Sequence, residues 1–381
     1  MEIVSVCVQM YGKKPRFMFG KANLFFAFLS FIRNFGLQPR LLALGKANLF
    51  FAFLSFIRNF ALMKVYVFNP ENDMALADGR PGYTPPALIR QMRSDLSWLP
   101  KWWAEEDDVV WDGTSPLHLS PDDEICPWGW SPALVHQLSQ AGVDASFLPS
   151  ADALERLRQL SHRRTAVEAL HQQQADGLCG PLLRGESLLC QSIDQLFPVS
   201  DTSERLFKSP WSSSGRGLMP SGQPAARAWC RRILRQQGSV VAESRLDKLA
   251  DFGMLFRLDG AGGVEYRGLS LFHTNESGAY TGSWLASEGE KLSWLMQYVP
   301  PQVLADVRHW WEQHLTRYAY RGPLGVDMML TADGGICPCV EVNWRMTMGH
   351  VAQLLTEQGH RGKLLVHYIY GQFCAEVEAF Q

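Results

Sequence analysis

Between Gly325 and Gly349 the chain reads GVDMMLTADGGICPCVEVNWRMTMG, and four side chains in it could act on one chemical group. Asp327 and Glu341 carry carboxylates, Asn343 an amide oxygen and Arg345 a guanidinium. Gly325 to Leu330 is a short apolar run, Asp333-Gly334-Gly335 is a turn signal, and Ile336 to Arg345 reads as the returning strand. Alternation along a strand sends Glu341, Asn343 and Arg345 to one face. A hairpin symmetric about Gly334 places Asp327 opposite Glu341. Hard oxygen ligands in this arrangement suit Mg2+, and a neighbouring Arg suits a phosphate whose charge is changing.

A site of that kind needs groups upstream to hold a nucleotide. Arg205-Leu206-Phe207-Lys208 reads as a strand running into Ser209-Pro210-Trp211-Ser212-Ser213-Ser214-Gly215-Arg216-Gly217. Lys208 can hold phosphates as a point charge while loop hydroxyls and N–H groups, at Ser213, Gly215 and Gly217 among others, wrap the oxygens. The spacing is not that of a P-loop, and a plain surface turn would read the same way. Arg163 and Arg164 open a helix whose apolar positions include Val167 and Leu170. Cations there oppose the helix dipole unless an anion compensates; solvated arginines are the simpler alternative. Ser239 to Glu243 reads as a buried strand continued by the linker Ser244-Arg245-Leu246-Asp247. A strand turning into a linker offers adenine a backbone donor–acceptor pair beside apolar walls, here around Glu243 and Leu246.

The elements that must position these groups follow from the rest of the chain. Its 381 residues have room for about two or three domains. A net charge of −2 provides no basic field of the kind that marks a nucleic-acid binder, so no nucleic-acid partner is expected. Eight cysteines show no C-x-x-C pair, and Cys337-Pro-Cys339 reads as buried thiols in a reducing cytoplasm. Val65–Phe68 reads as a first strand leading into Asn69-Pro70-Glu71-Asn72-Asp73, where Asn72 and Asp73 either contact a substrate or cap the next helix. No G-x-G-x-x-G follows. Trp98, Trp102, Trp103, Trp111, Trp128 and Trp130 read as packing residues. Val109–Trp111 and Ser146–Leu148 read as strands, and Ser131–Ala141 as a helix with Pro132 in its first turn. Further on, Phe252–Leu258, Glu265–His273 and Ala279–Leu285 read as an antiparallel meander, and Gln302–Tyr320 as a helix. Helices are expected from Gly349-His350 to about Glu357 and over Lys363–Tyr370.

Residues 1–62 stand apart. The segment GKANLFFAFLSFIRNF occurs unchanged at 20–35 and 45–60. Structural repeats diverge and come in larger numbers, so an exact pair points to duplicated DNA. Each apolar stretch is about eleven residues, against the ~20 needed to span a bilayer, so no membrane partner is expected. Met63-Lys64-Val65-Tyr66-Val67-Phe68 looks like the start of an α/β domain. The expectation is that Met63 initiates the chain and that residues 1–62 are upstream sequence outside the native protein. A signal or anchor with Lys13, Lys14 and Arg16 as its basic region, or an extra helical element, are the alternatives.

In this order, Arg163/Arg164, Phe207-Lys208 with its Ser/Gly loop, Val240-Val241-Ala242-Glu243, and Gly325-Val326-Asp327 with Glu341-Val342-Asn343-Trp344-Arg345 resemble the ATP-grasp superfamily. The resemblance spans about residues 160–360, and its D…E-x-N-x-R element is the most specific part. It implies an α/β and α+β chain: an ATP-grasp fold with a small N-terminal α/β (pre-ATP-grasp) domain over 63–160. The ATP-grasp domain would cover 161–381, with a lid subdomain at about 175–250 and a metal-binding, catalytic subdomain at about 251–360. By the same resemblance Asp327, Glu341 and Asn343 would bind two Mg2+ ions, with Mn2+ as an alternative. Lys208, Arg163 and Arg164 would hold ATP phosphates, Glu243 and the linker would meet adenine, and Arg345 with Lys208 would steady the transferring phosphoryl group. The family usually has Lys where this chain has Arg163-Arg164; an Arg still pairs with phosphate, in a different geometry. The start at Asn69–Ala77 also resembles uncharacterised bacterial ATP-grasp proteins.

The resemblance implies an ATP-dependent ligase joining a small-molecule carboxylate to an amine through an acyl phosphate, and the cysteine pattern places it in the cytoplasm as an expectation. An ATP-grasp kinase and a nucleotide-binding regulator without turnover are the alternatives. Arg257, Arg267, Asn275 and Asn69–Asp73 are unranked candidates for reading the substrate. A dimer is compatible with the apolar Trp tract.

Overall fold

Alternating and apolar runs build three sheets, and the largest carries the site. The computed structural model describes residues 63–198, 203–212 and 217–379. In chain order the elements are β1 (Lys64–Val67), α1 (Asn72–Asp78), α2 (Ala87–Leu96), β2 (Val109–Val110), β3 (Glu124–Pro127), α3 (Pro132–Gln140), α4 (Ala151–Leu160), α5 (Arg164–Ala175), β4 (Ser187–Cys190), α6 (Ile193–Leu196), β5 (Arg205–Lys208) and β6 (Leu218–Pro220). They continue with α7 (Ala226–Gln237), β7 (Val240–Ser244), β8 (Lys248–Asp259), β9 (Val264–Thr274), β10 (Tyr280–Leu285), α8 (Glu288–Leu295) and α9 (Pro301–Leu315). The last are β11 (Arg321–Thr331), β12 (Ile336–Asn343), α10 (Met348–Glu357), β13 (Gly362–Ile369) and β14 (Gln372–Glu378). Among the described residues no helix is long and apolar enough to cross a membrane.

A three-stranded sheet has the order β2-β1-β3, with β1 and β2 parallel. A four-stranded sheet runs β4-β7-β5-β6, and a seven-stranded sheet runs β12-β11-β8-β9-β10-β13-β14. Mixed helices and strands on these sheets are the expected α/β and α+β class.

Period-two patterning decides how the large sheet is covered. Phe252, Met254, Phe256 and Leu258 of β8 and Leu324, Val326, Met328 and Leu330 of β11 join one core with Leu304, Val307, Trp311 and Leu315 of α9. Burying each such side chain contributes roughly 1.5–3 kcal/mol, so this face is held firmly. A second core packs Leu285 and Leu364 of the same sheet with Val351, Ala352 and Leu355 of α10 and with Phe68 and Trp128. The Trp tract is packing, as expected: Trp128 meets Phe68 edge-on at 5.1 Å and Trp98 meets Trp102 at 5.0 Å.

Two local expectations are corrected. Ser146–Leu148 is not a strand, because Ala145–Phe147 forms a 3-10 turn in which the Asp144 carboxylate accepts the Ser146 N–H at 2.8 Å. Lys363–Tyr370 is not a helix. Gly362–Ile369 is β13, paired with β10 on one side and β14 on the other. Leu-Leu-Val-His-Tyr-Ile suits a strand flanked on both edges, and a short apolar run has no period that separates helix from strand. Tyr370 and Gly371, at φ 50° and 82°, make the two-residue turn into β14.

Candidate nucleotide and metal site

In the hairpin of β11 and β12 Asp327 lies opposite Glu341 and Gly325 opposite Asn343, the expected pairs, but they are reached through a register shift between Asp327 and Met329: nearer the turn Met329 pairs with Cys337 and Leu330 with Ile336. Gly334 takes φ 78°, a left-handed conformation that glycine adopts without strain. The Asn343 amide donates to Asp327 Oδ2 at 2.9 Å, and Arg345 Nη2 donates to Asn343 Oδ1 at 3.0 Å. Asp327, Asn343 and Arg345 therefore form one hydrogen-bonded row, with Glu341 opposite Asp327 on the paired strand and Arg345 just past the end of β12. Burial, and then the facing Glu341 carboxylate, push the Asp327 acid up to about 7, with Asn343 and Arg345 pulling the other way. On β8, Gly253 lies opposite Asp327. A Cβ there would stand 2.8 Å from the Val326 carbonyl oxygen and 3.6 Å from Asp327 Oδ1, so glycine lets the strands approach beneath the acid.

Arg163 is the residue that ties the surrounding elements to this row. Its side chain is 7% exposed and donates to Ser209 O at 2.7 Å, Ser212 Oγ at 2.5 Å and Glu341 Oε1 at 2.8 Å. One guanidinium at the start of α5 thus joins the loop after β5 to the acid of β12. Arg164 behaves differently: it is 43% exposed and pairs along the helix with Glu168 at 3.8 Å. Of the two arginines, only Arg163 reaches the row. His162 beside them is buried and accepts from the Arg164 N–H at 2.9 Å. Burial, then Arg164, Arg158 and Arg163, hold its imidazole down at about 4, so it is neutral.

Lys208 is buried at the end of β5 and pairs with Glu243 Oε2 of β7 at 2.5 Å. The strands are neighbours, with Leu206 opposite Glu243 and Lys208 opposite Val241. The loop returns at Gly217, whose carbonyl accepts the Ser209 N–H at 2.8 Å. Gly217 has φ 76°, and a Cβ would collide with Ser209 Oγ and the Ser212 side chain. Glycine is required there to close the loop. Ser213 and Gly215 lie outside the described residues, as do residues 1–62 with their duplication. Leu246 is half-buried in the linker after β7.

The partner of Arg345 was not legible in the sequence. Arg345 Nη2 stands 2.7 Å from Asp73 Oδ2, and its Nε lies 3.0 and 2.9 Å from the two Asp73 oxygens. Asp73 sits in the first turn of α1, 272 residues away, where a carboxylate also suits the helix dipole. The helix-cap reading of Asn72 and Asp73 is corrected. The helix cap is Glu71, without a side-chain cap bond, and Asn72 is buried with its amide directed to the Gly129 and Trp130 carbonyls at 2.9 Å. The Asp73 carboxylate raises the Arg345 pKa even though burial works against the charge.

Other candidates are committed elsewhere. Arg267 pairs with Glu265 at 2.7 Å and Glu357 at 3.5 Å. Asn275 Oδ1 accepts from Ser277 and Ala279 within its own turn. His350 closes a capping box with Thr347. Cys337 and Cys339 are buried; burial pushes the first thiol to about 11 and the second well above the usual range, so both are inert. Among the described residues no cluster of three or more His, Cys, Asp and Glu side chains is placed to hold a metal. The hairpin offers two carboxylates and one amide oxygen. That donor set fits a hard divalent cation that keeps part of its water; a cation there would also offset the facing Glu341 charge, which after burial is the second cause of the raised Asp327 acid.

No protein-family model matches the sequence, and no curated protein matches it. Among solved structures, the chain is similar to N5-carboxyaminoimidazole synthetase from Staphylococcus aureus complexed with ADP, at 9% identity over 75% of this chain and 71% of that one, with a TM-score of 0.45. Biotin carboxylase from Campylobacter jejuni shares 11% identity over 81% of this chain and 76% of the other, with a TM-score of 0.46. D-alanyl-alanine synthetase A from Vibrio cholerae shares 13% over 79% and 94%, with a TM-score of 0.43.

Proposed function

We infer that the chain is an ATP-grasp enzyme, an ATP- and Mg2+-dependent ligase that joins a small carboxylate to an amine. The observation that carries this reading is the row Asp327–Asn343–Arg345 facing Glu341, with Lys208 and Arg163 on the adjoining strand and helix ends. Phosphoryl transfer asks a protein for positioning and charge neutralisation, and these are the groups that supply both. A divalent cation held by Asp327, Glu341 and Asn343 would neutralise charge on the ATP phosphates. Lys208 offers a point charge, and β7 with its linker through Leu246 offers edges for adenine. Arg345 faces the transferring group. In the ligase reading the substrate carboxylate takes the γ-phosphoryl group, releasing ADP and forming an acyl phosphate. An amine then attacks the acyl carbon, and phosphate leaves as the nitrogen gives up a proton.

Each basic residue of the site is already matched with an acid: Arg163 with Glu341, Lys208 with Glu243, Arg345 with Asp73. An incoming Mg·ATP would therefore exchange partners: its phosphates take Lys208 and Arg163, and its cation takes Glu341. The test is to incubate the full chain with Mg·ATP and pools of amino acids, short peptides and small carboxylic acids, then analyse the products. ADP, phosphate and an amide support the ligase. A stable phosphorylated product would make it a kinase, and nucleotide binding without hydrolysis in any pool would make it a regulator.

A further inference from the structure

Arg345 has five N–H donors, and the chain itself uses most of them. Asp73 takes the Nε–H, at 3.0 and 2.9 Å from its two oxygens, and one Nη2–H at 2.7 Å. Asn343 Oδ1 takes the other Nη2–H at 3.0 Å, and the Met346 carbonyl takes one Nη1–H at 3.1 Å. One N–H, on Nη1, is left for an anion. The fork that an Arg ordinarily presents to phosphate, with two parallel bonds, is occupied by the Asp73 carboxylate.

The segment leading into the helix turn that carries Asp73 is fixed by buried polar bonds. Asn69 Nδ2 donates to the Gly129 carbonyl at 2.8 Å, and Arg93 Nη1 pairs with Glu71 at 2.7 Å. Asn69, Glu71 and Asn72 are all buried. The hairpin meets the same region through its backbone, since the Met346 N–H donates to the Trp128 carbonyl at 2.8 Å. Asp73 thus projects from a rigid base and holds the guanidinium from one side.

The geometry points to Asp73 as the positioning residue for Arg345: it turns this Arg from a two-pronged phosphate clamp into a fixed single donor aimed by the N-terminal α/β layer. This inference rests on the ligase reading above. It explains why Asp73 and Arg345 form a pair without either being spent on helix capping or on a metal. A tie with no catalytic part would hold the two regions together equally well, so the test must separate placement from folding.

The full chain and its Asp73→Ala, Asp73→Asn, Asp73→Glu and Arg345→Lys variants are compared in three measurements. Calorimetry with Mg2+ and β,γ-imido-ATP gives nucleotide affinity. ADP release from Mg·ATP with the substrate pools gives turnover. NMR of protein labelled with 15N-arginine, with Arg345→Lys assigning the signal, reports solvent exchange of the Arg345 Nε–H. We expect a protected Nε–H in the wild type that exchanges freely in Asp73→Ala. Nucleotide affinity should stay within threefold while turnover falls roughly 10- to 100-fold, with partial recovery in Asp73→Glu. Asp73→Asn keeps the side-chain shape and serves should the Ala variant not fold. Turnover within twofold of wild type, a loss of turnover that only tracks lost nucleotide affinity, or an unprotected Nε–H in the wild type would each overturn the inference. A wild type that binds no nucleotide would instead overturn the ligase reading, and with it the catalytic use of Arg345, while the NMR arm still reports whether Asp73 holds the guanidinium.

Discussion

Replacing Arg163 tests how the site is held together. The Arg163 side chain is 7% exposed and its three acceptors lie on different segments: the Ser209 carbonyl, the Ser212 hydroxyl and the Glu341 carboxylate. Arg163→Ala leaves a partly buried Glu341 without its partner and two loop oxygens without a donor. Losing one partner of a buried ion pair costs about 3–5 kcal/mol, but Glu341 is 28% exposed and water recovers part of that. We expect a loss of about 2–4 kcal/mol in urea denaturation at pH 7. Arg163→Lys should recover less than half of it, because an ammonium on a flexible stem cannot meet three acceptors set by a planar guanidinium. Arg164→Ala is the control: 43% exposed and paired at 3.8 Å, it should change stability by no more than about 0.5 kcal/mol. Equal losses for Arg163→Ala and Arg164→Ala, or a loss below about 0.5 kcal/mol for the first, would refute the account of Arg163 as the tie between loop and hairpin.

Other outcomes follow from the same geometry. His162, His314 and His350 are held near 4 chiefly by burial, below their unfolded value of 6.5. Because the unfolded chain takes up these protons first, stability present above pH 6.5 should be lost as pH falls towards 4. Between pH 6.5 and 5 the loss should be about 1–2 kcal/mol for each imidazole, measured as urea midpoints. Asp327 has the opposite sign: its folded value of about 7 lies above 3.8, so stability falls as pH rises through that window. Asp327→Asn should therefore raise stability at pH 8 by about 2–3 kcal/mol in the absence of divalent cations, while removing Mg2+-dependent stabilisation. Lys208→Met should weaken Mg·ATP binding about 10- to 100-fold by calorimetry.

The hairpin was legible because a local rule governs it. The turn at Asp333-Gly334-Gly335 marks where the strands fold back, but Met329 pairs with Cys337 and Leu330 with Ile336, so Asp327 comes to lie opposite Glu341 only through a register shift between Asp327 and Met329 that the sequence does not announce. Lys208 and Glu243 were legible as ends of strands. That their side chains pair, diagonally across adjacent strands, depended on the order β7-β5 in the sheet, which local pattern does not encode. The Arg163–Glu341 pair spans 178 residues and the Asp73–Arg345 pair 272, and no spacing rule reaches that far. An acid in the first turn of a helix looks the same whether it caps, binds a ligand or holds a distant guanidinium. The one long misreading, β13, had an apolar run too short to show a period, and its identity came from the strands on either side.

The central claim is that Asp327, Glu341 and Asn343 hold the cation of Mg·ATP, and Glu341→Ala tests it most directly. With the full chain, ADP release from ATP in the presence of the substrate pools is measured with Mg2+ and with EDTA, for wild type and variant, after circular dichroism shows that both are folded. The account predicts Mg2+-dependent ADP release from the wild type and none from the folded Glu341→Ala protein. Undiminished Mg2+-dependent turnover by that variant would contradict it.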